Sequence, residues 1–319
     1  MSVVVIGPAN LEFVLQVPTM PKFAEGESVR AVDLSTRVGG SGAIQALAAA
    51  RLGARVFFVG CIGNDEDGIH LLHGLREGQV DASEVEILSS ETTGVGLVCL
   101  GDDGGRSLVV YAGANQFITP SRVMRTMVRL TSSRDIVILG ASTSVEVLTA
   151  ALTTAKDNLA RTILHLSYPV NIGHELNEFC DFLVLDEFTA SAYTGVTTQI
   201  TEPETPALDV LLRQVKSAVI LTASGGVVWA DDNSRGFCPP EGRMENVDPV
   251  RSTDVFIGSL AAFLDAGASL EEAVSHALLS KAQTVAEDAD QTDVPELEDS
   301  VRRNVYADDD TTNLALAAA

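Results

Sequence analysis

The sequence predicts an α/β protein: a mainly parallel central sheet between two layers of helices, with a second, smaller β sheet acting as a lid. Three observations carry this. Short continuous apolar runs recur at residues 3–6, 56–59, 136–139, 162–166, 182–185 and 219–222, and such runs mark strands buried on both faces. Between many of them stand stretches with small or apolar residues at i, i+3, i+4 spacing, at 42–52, 67–77, 144–158 and 207–214. Strand, helix, strand in repetition means parallel strands joined by right-handed crossovers. Finally, two segments break that rhythm.

Taken in order, residues 3–6 read Val-Val-Val-Ile, a strand with no polar face. Residues 12–38 follow, rich in β-branched residues at alternating positions, and read as an antiparallel hairpin. After the 42–52 helix, the 56–59 strand and the 67–77 helix comes the second hairpin, 92–111, with Gly-Asp-Asp-Gly-Gly at its turn. The remaining runs continue the strand and helix alternation. From Asn304 onward, Asp308-Asp309-Asp310 and an Ala-rich end read as a solvated tail. The expected organisation is one domain over 1–303, with lid strands at about 12–38 and 92–111, and a tail over 304–319. No internal repeat is visible.

Composition narrows the function classes. A chain of 319 residues with 46% hydrophobic residues can bury a large core. No run of roughly 18 apolar residues could cross a bilayer, and residues 1–17 lack the basic start and cleavage site of a secretory signal; a cytoplasmic protein is expected. The formal charge of −23 repels nucleic acid and anionic membranes, so neither is expected as a partner. With only four lysines, the acidic surface also suits a salty interior, where salt screens self-repulsion. Cys61, Cys99, Cys180 and Cys238 form no CxxC pair and read as ordinary thiols. The five histidines carry no spacing that points to a metal; His70 and His73 share a helix face without a third ligand.

The motifs are more specific. Residues 3–12 read Val-Val-Val-Ile-Gly-Pro-Ala-Asn-Leu-Glu, and Gly39-Gly40-Ser41-Gly42-Ala43-Ile44-Gln45-Ala46 runs into Ala-Ala-Ala-Arg-Leu-Gly-Ala. Val59-Gly60-Cys61-Ile62-Gly63-Asn64-Asp65 follows, then Gly113-Ala114-Asn115 ahead of Ile118-Thr119-Pro120. Last come Asp254-Val255-Phe256-Ile257-Gly258 and Ala266-Gly267-Ala268-Ser269-Leu270-Glu271-Glu272-Ala273. In this order and spacing, from about residue 3 to 297, the chain resembles the ribokinase-like (PfkB) carbohydrate kinases.

That resemblance implies transfer of phosphate from ATP, with Mg2+, to a hydroxyl of a small sugar or nucleoside; a monovalent cation is a further candidate cofactor. It places Asp254 as the catalytic base in the first turn of a helix and Asp248 as the acidic residue that opens the motif, a metal candidate. Arg251-Ser252-Thr253 stands where the family has Gly-Ala-Gly, whose backbone N–H groups hold the transferring phosphate. On the acceptor side it implies Glu12, Gly39, Gly40 and Ser41, with Glu12 in place of an Asp, Ser41 in place of a Lys and Ile44 in place of an Asn. Ser142 falls where an acidic residue is expected. Asp186 and Glu187 replace the start of the Asn-x-x-Glu that organises magnesium; Asp186 is read as a nucleotide contact and Glu187 as a metal ligand. Thr222, Ser224 and Gly225 occupy the nucleotide loop. Trp229 reads as a core aromatic.

Two functions stay open. One is a kinase of a small hydroxylated acceptor, a homodimer through the lid whose edges pair between subunits. The alternative, motivated by the altered motifs, is a non-catalytic pseudokinase that binds a ligand or regulates a partner.

Overall fold

The computed structural model describes residues 1–22, 26–102, 105–140, 142–168, 179–196, 202–240 and 249–287. Asp248 and the 304–319 tail lie outside them. Among the described residues, one sheet has nine strands and a second has four. The strands are β1 (Val3–Ile6), β2 (Asn10–Val17), β3 (Asp33–Gly39), β4 (Val56–Gly63), β5 (Val80–Leu88), β6 (Gly94–Gly101), β7 (Arg106–Tyr111), β8 (Ile136–Gly140), β9 (Arg161–Leu166), β10 (Phe182–Asp186), β11 (Ser217–Leu221), β12 (Val227–Asp231) and β13 (Arg235–Cys238). The helices are α1 (Ser41–Arg51), α2 (Glu66–Glu77), α3 (Pro120–Leu130), α4 (Val145–Asp157), α5 (Glu187–Thr194), α6 (Pro206–Leu211), α7 (Pro249–Asp265) and α8 (Leu270–Glu287).

The large sheet runs β13-β12-β11-β10-β9-β8-β1-β4-β5. Every pairing from β11 through to β5 is parallel, and β12 and β13 add an antiparallel edge. Alternate side chains of β1 point to opposite faces, so Val3 and Val5 join one core while Val4 and Ile6 join another. The first core takes the apolar sides of α1, α2, α7 and α8; the second takes those of α3 to α6. That is the expected three-layer arrangement.

The small sheet runs β3-β2-β6-β7. Both expected hairpins form, β2 with β3 and β6 with β7, each antiparallel. They join through a parallel β2–β6 pair. Each hairpin leaves the same edge of the body, after β1 and after β5, so their outgoing strands point the same way.

Some elements escaped sequence reading. Strand β5 alternates buried and exposed residues at its start and carries charge throughout, so it has no continuous apolar run. Helix α6 stops at Leu211, short of the expected 214, and starts at Pro206 with Thr205 as its cap. Helix α7 begins at Pro249, so residues 251–253 lie inside the helix and Asp254 sits in its second turn, not its first.

Two glycines set how the site is held. Gly40 precedes α1 with φ +83°, a left-handed conformation, and a Cβ there would lie 2.7 Å from the Pro8 carbonyl oxygen. At Gly258 a Cβ would run into the Gln45 carbonyl, so glycine lets α7 press against α1. Trp229 is in the first core as expected, 2% exposed. The four cysteines are free thiols, and no described helix is long and apolar enough to cross a membrane.

Candidate active site

The carboxyl ends of the parallel strands open onto one side of the sheet, where ligands bind in open α/β folds. Turns leaving β1, β8 and β9 bring Asn10, Ser142 and Tyr168 to this edge, and the starts of α1 and α7 bring Ser41 and Arg251. With the lid strands β2 and β7 they enclose a cleft of about 690 Å³. Glu12, Gly40, Ser41, Arg251 and Asp254 all line it.

Asp254 is the most deeply placed of these, 1% exposed. Gln45 Nε2, from α1, donates a hydrogen bond of 2.7 Å to its Oδ1. His165 Nδ1, from the end of β9, lies 3.9 Å from the same oxygen. Burial of His165 pushes its pKa down to about 4, only partly opposed by the charge of Asp186, so the imidazole is neutral at pH 7. The carboxylate is thus held by an amide donor beside a neutral ring.

The Arg251–Thr253 segment is helical. These residues lie within the described span of α7, on the same helix as Asp254. The Arg251 guanidinium reaches across the cleft floor and donates from Nη1 to the Val38 carbonyl at 3.1 Å. This ties the start of α7 to the Gly39-Gly40 turn.

On the acceptor side, polar groups bond to each other. Glu12 Oε2 accepts from Arg37 Nε at 2.9 Å on the adjoining lid strand, with its side chain laid over Gly39, where any Cβ would collide. Ser41 Oγ and Ser142 Oγ are 3.1 Å apart. Asn10 Oδ1 accepts from Asn115 Nδ2 at 2.9 Å, and Asn115 also bonds the Ala9 and Ala112 backbone. Ile44 lines the cleft beside them and is buried.

Asp186, Glu187, Thr222, Ser224 and Gly225 form a second group at the ends of β10 and β11, outside the cleft lining. Asp186 Oδ1 caps α5 by accepting from the Thr189 amide at 2.6 Å. Glu187 Oε2 accepts from the Ala223 amide at 2.6 Å, which fastens α5 to the 222–226 turn. Thr222 Oγ1 is 2.9 Å from Ser224 Oγ, and Gly225, at φ +89°, completes the turn. No three His, Cys, Asp or Glu side chains converge on a metal position among the described residues. A Mg2+ ion carried mainly by phosphate oxygens needs only one or two carboxylates, and Asp186 and Glu187 suit that requirement.

Sequence reasoning missed Gln45 and His165. Gln45 stands inside the glycine-rich segment, next to Ile44, but its partner is 209 residues away. His165 was grouped with the other uninformative histidines; the one signal was a lone imidazole inside an apolar strand.

Known proteins resemble the chain over most of its length. Residues 1–297 match the model of the pfkB family of carbohydrate kinases. A ribokinase from Haemophilus influenzae is 27% identical over 299 residues, covering 92% of this chain and 95% of the relative. A deoxyribokinase from Salmonella typhimurium is 25% identical over 303 residues, covering 93% and 97%. Among solved structures, a ribokinase of Arabidopsis thaliana complexed with ribose and ATP superposes with a TM-score of 0.73 at 24% identity, over 96% of this chain and 98% of that one. With the family model spanning all of the described residues, the chain belongs to the pfkB family of carbohydrate kinases.

Proposed function

We propose that this protein is an ATP-dependent kinase that phosphorylates a hydroxyl of a small sugar or nucleoside, with Asp254 as general base. The observation that carries this reading is the placement of Asp254: a buried carboxylate lining the cleft, on the same helix as Arg251, which lines it too. Relatives named ribokinase and deoxyribokinase support the same chemistry.

In this reading the acceptor hydroxyl gives its proton to the Asp254 carboxylate. Its oxygen forms the new bond to the γ-phosphorus of ATP as the bond to the ADP oxygen breaks. Gln45 holds the carboxylate in place. The Arg251–Asp254 segment of α7 cradles the transferring phosphate, where charge develops in the transition state. Arg251 adds a full positive charge. Thr222, Ser224, Gly225 and Asp186 contact the nucleotide, while Asp186, Glu187 and Asp248 are the acidic residues that would hold Mg2+ directly or through water. When bound, Mg2+ neutralises phosphate charge. Glu12, Gly40 and Ser41 line the acceptor side, and Gly39 makes room for the Glu12 side chain.

The lid supports a dimer. Partners in register share a face, so Phe13, Leu97 and Val109 form one row and Leu15 and Leu34 another. Leu34, Leu97, Val109 and Tyr111 are exposed. Such an apolar sheet face with two open edges suits a second copy of the chain. The formal charge of −23 suits a cytoplasmic enzyme that repels nucleic acid and anionic membranes.

A second reading, a non-catalytic ligand-binding protein, draws on the Arg251-Ser252-Thr253 side chains at the helix start. Calorimetry with Mg-ATP at low and at molar salt separates the two. The kinase reading expects binding that is lost in Arg251→Glu; no binding at either salt contradicts it.

A further inference from the structure

Resting on the kinase reading, we propose that the acceptor is nucleoside-like: a hydroxymethyl-bearing sugar that carries a flat heterocyclic ring, rather than a free sugar. The argument is one of polar and apolar inventory. A free pentose presents hydroxyls all round its ring and needs a partner for each; a buried hydroxyl left unmatched loses the hydrogen bond it had in water. Three polar groups on the acceptor side of the cleft already have protein partners. Glu12 is paired with Arg37, Asn10 Oδ1 with Asn115, and Ser41 with Ser142.

What the cleft presents instead is an apolar wall. Leu108 and Val110 occupy alternate positions of β7 and so share one face of the lid. Ala112 and Ile118 continue that wall past the end of the strand, and Ile44 faces them from α1. Val110 is half-exposed, a large apolar side chain at the cleft rim. Tyr168, at the end of β9, adds an aromatic ring on the body side, also half-exposed. A planar ring placed between such groups gains both burial and stacking.

Size agrees. The cleft holds about 690 Å³ without including the second residue group at Thr222–Gly226. Clefts of that volume enclose ligands of drug size, which leaves room for a ring-bearing acceptor beside the phosphate end at Arg251. Arg106 and Gln116 also line this cleft. Polar groups beside an apolar wall suit ring nitrogens and carbonyls better than a plain hydrocarbon substituent.

The test is calorimetry and product formation with Mg-ATP present, using D-ribose, 2-deoxy-D-ribose, adenosine and uridine as probes. The expected result is that at least one nucleoside binds about tenfold or more tightly than either free sugar and is the better phosphate acceptor. In Leu108→Asn/Val110→Asn, nucleoside affinity falls by about tenfold while the Kd for Mg-ATP stays as in the wild type. Free sugars binding as well as or better than both nucleosides, or nucleoside binding untouched by the double substitution, overturns the inference. So does the failure of all four probes to bind while Mg-ATP binds, an outcome that leaves the kinase reading standing. Failure of Mg-ATP itself to bind sinks both.

Discussion

Gln45 and Asp254, 209 residues apart, meet through a 2.7 Å hydrogen bond inside the protein, the amide donating to the carboxylate. The contact depends on α1 and α7 packing closely at Gly258. A hydrogen bond to a buried charge is worth about 1.5–3 kcal/mol. Gln45→Leu should therefore lower stability by about that amount in urea unfolding. It should also move the acid limb of the pH–rate profile to higher pH, because the carboxylate loses a donor that favours its charged form. Rescue of both by Gln45→Asn would contradict a role that depends on side-chain length.

His165 makes stability depend on pH. Its folded pKa is about 4 against 6.5 for an exposed imidazole. Between those values the unfolded chain binds more protons, so this residue makes stability rise with pH from about 4 to about 6.5. Below that window it destabilises the fold by about 3 kcal/mol. In urea unfolding from pH 7 to pH 4, wild type should lose about 3 kcal/mol of stability relative to His165→Leu. A constant difference across the range counts against this account.

Lys281 is 5% exposed and continues the buried stripe of α8 formed by Leu270, Ala273, Val274, Ala277 and Leu278. Burial alone lowers its pKa from the ordinary 10.5. The cost of keeping that amine charged is greatest below the lowered folded pKa and shrinks as pH climbs towards 10.5, where the unfolded chain holds more protons. Lys281→Met should stabilise the fold at pH 7 by about 1–3 kcal/mol, an effect that fades at alkaline pH. Urea titrations at pH 7 and pH 10 measure it. A loss of stability in the variant would mean that the amine has a partner that outweighs burial.

The lid face predicts its own outcome. Leu97→Glu with Val109→Glu puts two charges on the apolar row shared by β6 and β7. Light scattering should show the wild type as a dimer and the variant as a monomer, with the near-UV spectrum of the fold retained. A monomeric wild type removes the lid-dimer proposal.

Much of this architecture was legible because both cores are built from continuous apolar strands, whose lack of alternation is itself the signal of burial on two faces. Strand β5 was not legible, since its charged residues hide an edge strand. Nor was the parallel β2–β6 pairing, which is set by where two hairpins leave the body rather than by their residues. Within the site, Asp254, Arg251, Glu12, Gly40 and Ser41 could be named from motif order, and they share one cleft. The contacts that hold them were hidden. Ser41 with Ser142, Glu12 with Arg37, and Gln45 with Asp254 each join distant segments, and no local spacing reports a contact made by folding.

The most direct test is ADP and phosphomonoester formation by wild type and Asp254→Asn with Mg-ATP and a panel of sugars and nucleosides. The account predicts that wild type forms both products in equal amounts from at least one acceptor, and that Asp254→Asn, still folded and still binding Mg-ATP, is slower by about 10²–10⁴-fold. Equal rates in the two proteins, or no phosphomonoester from any acceptor with wild type, would contradict it.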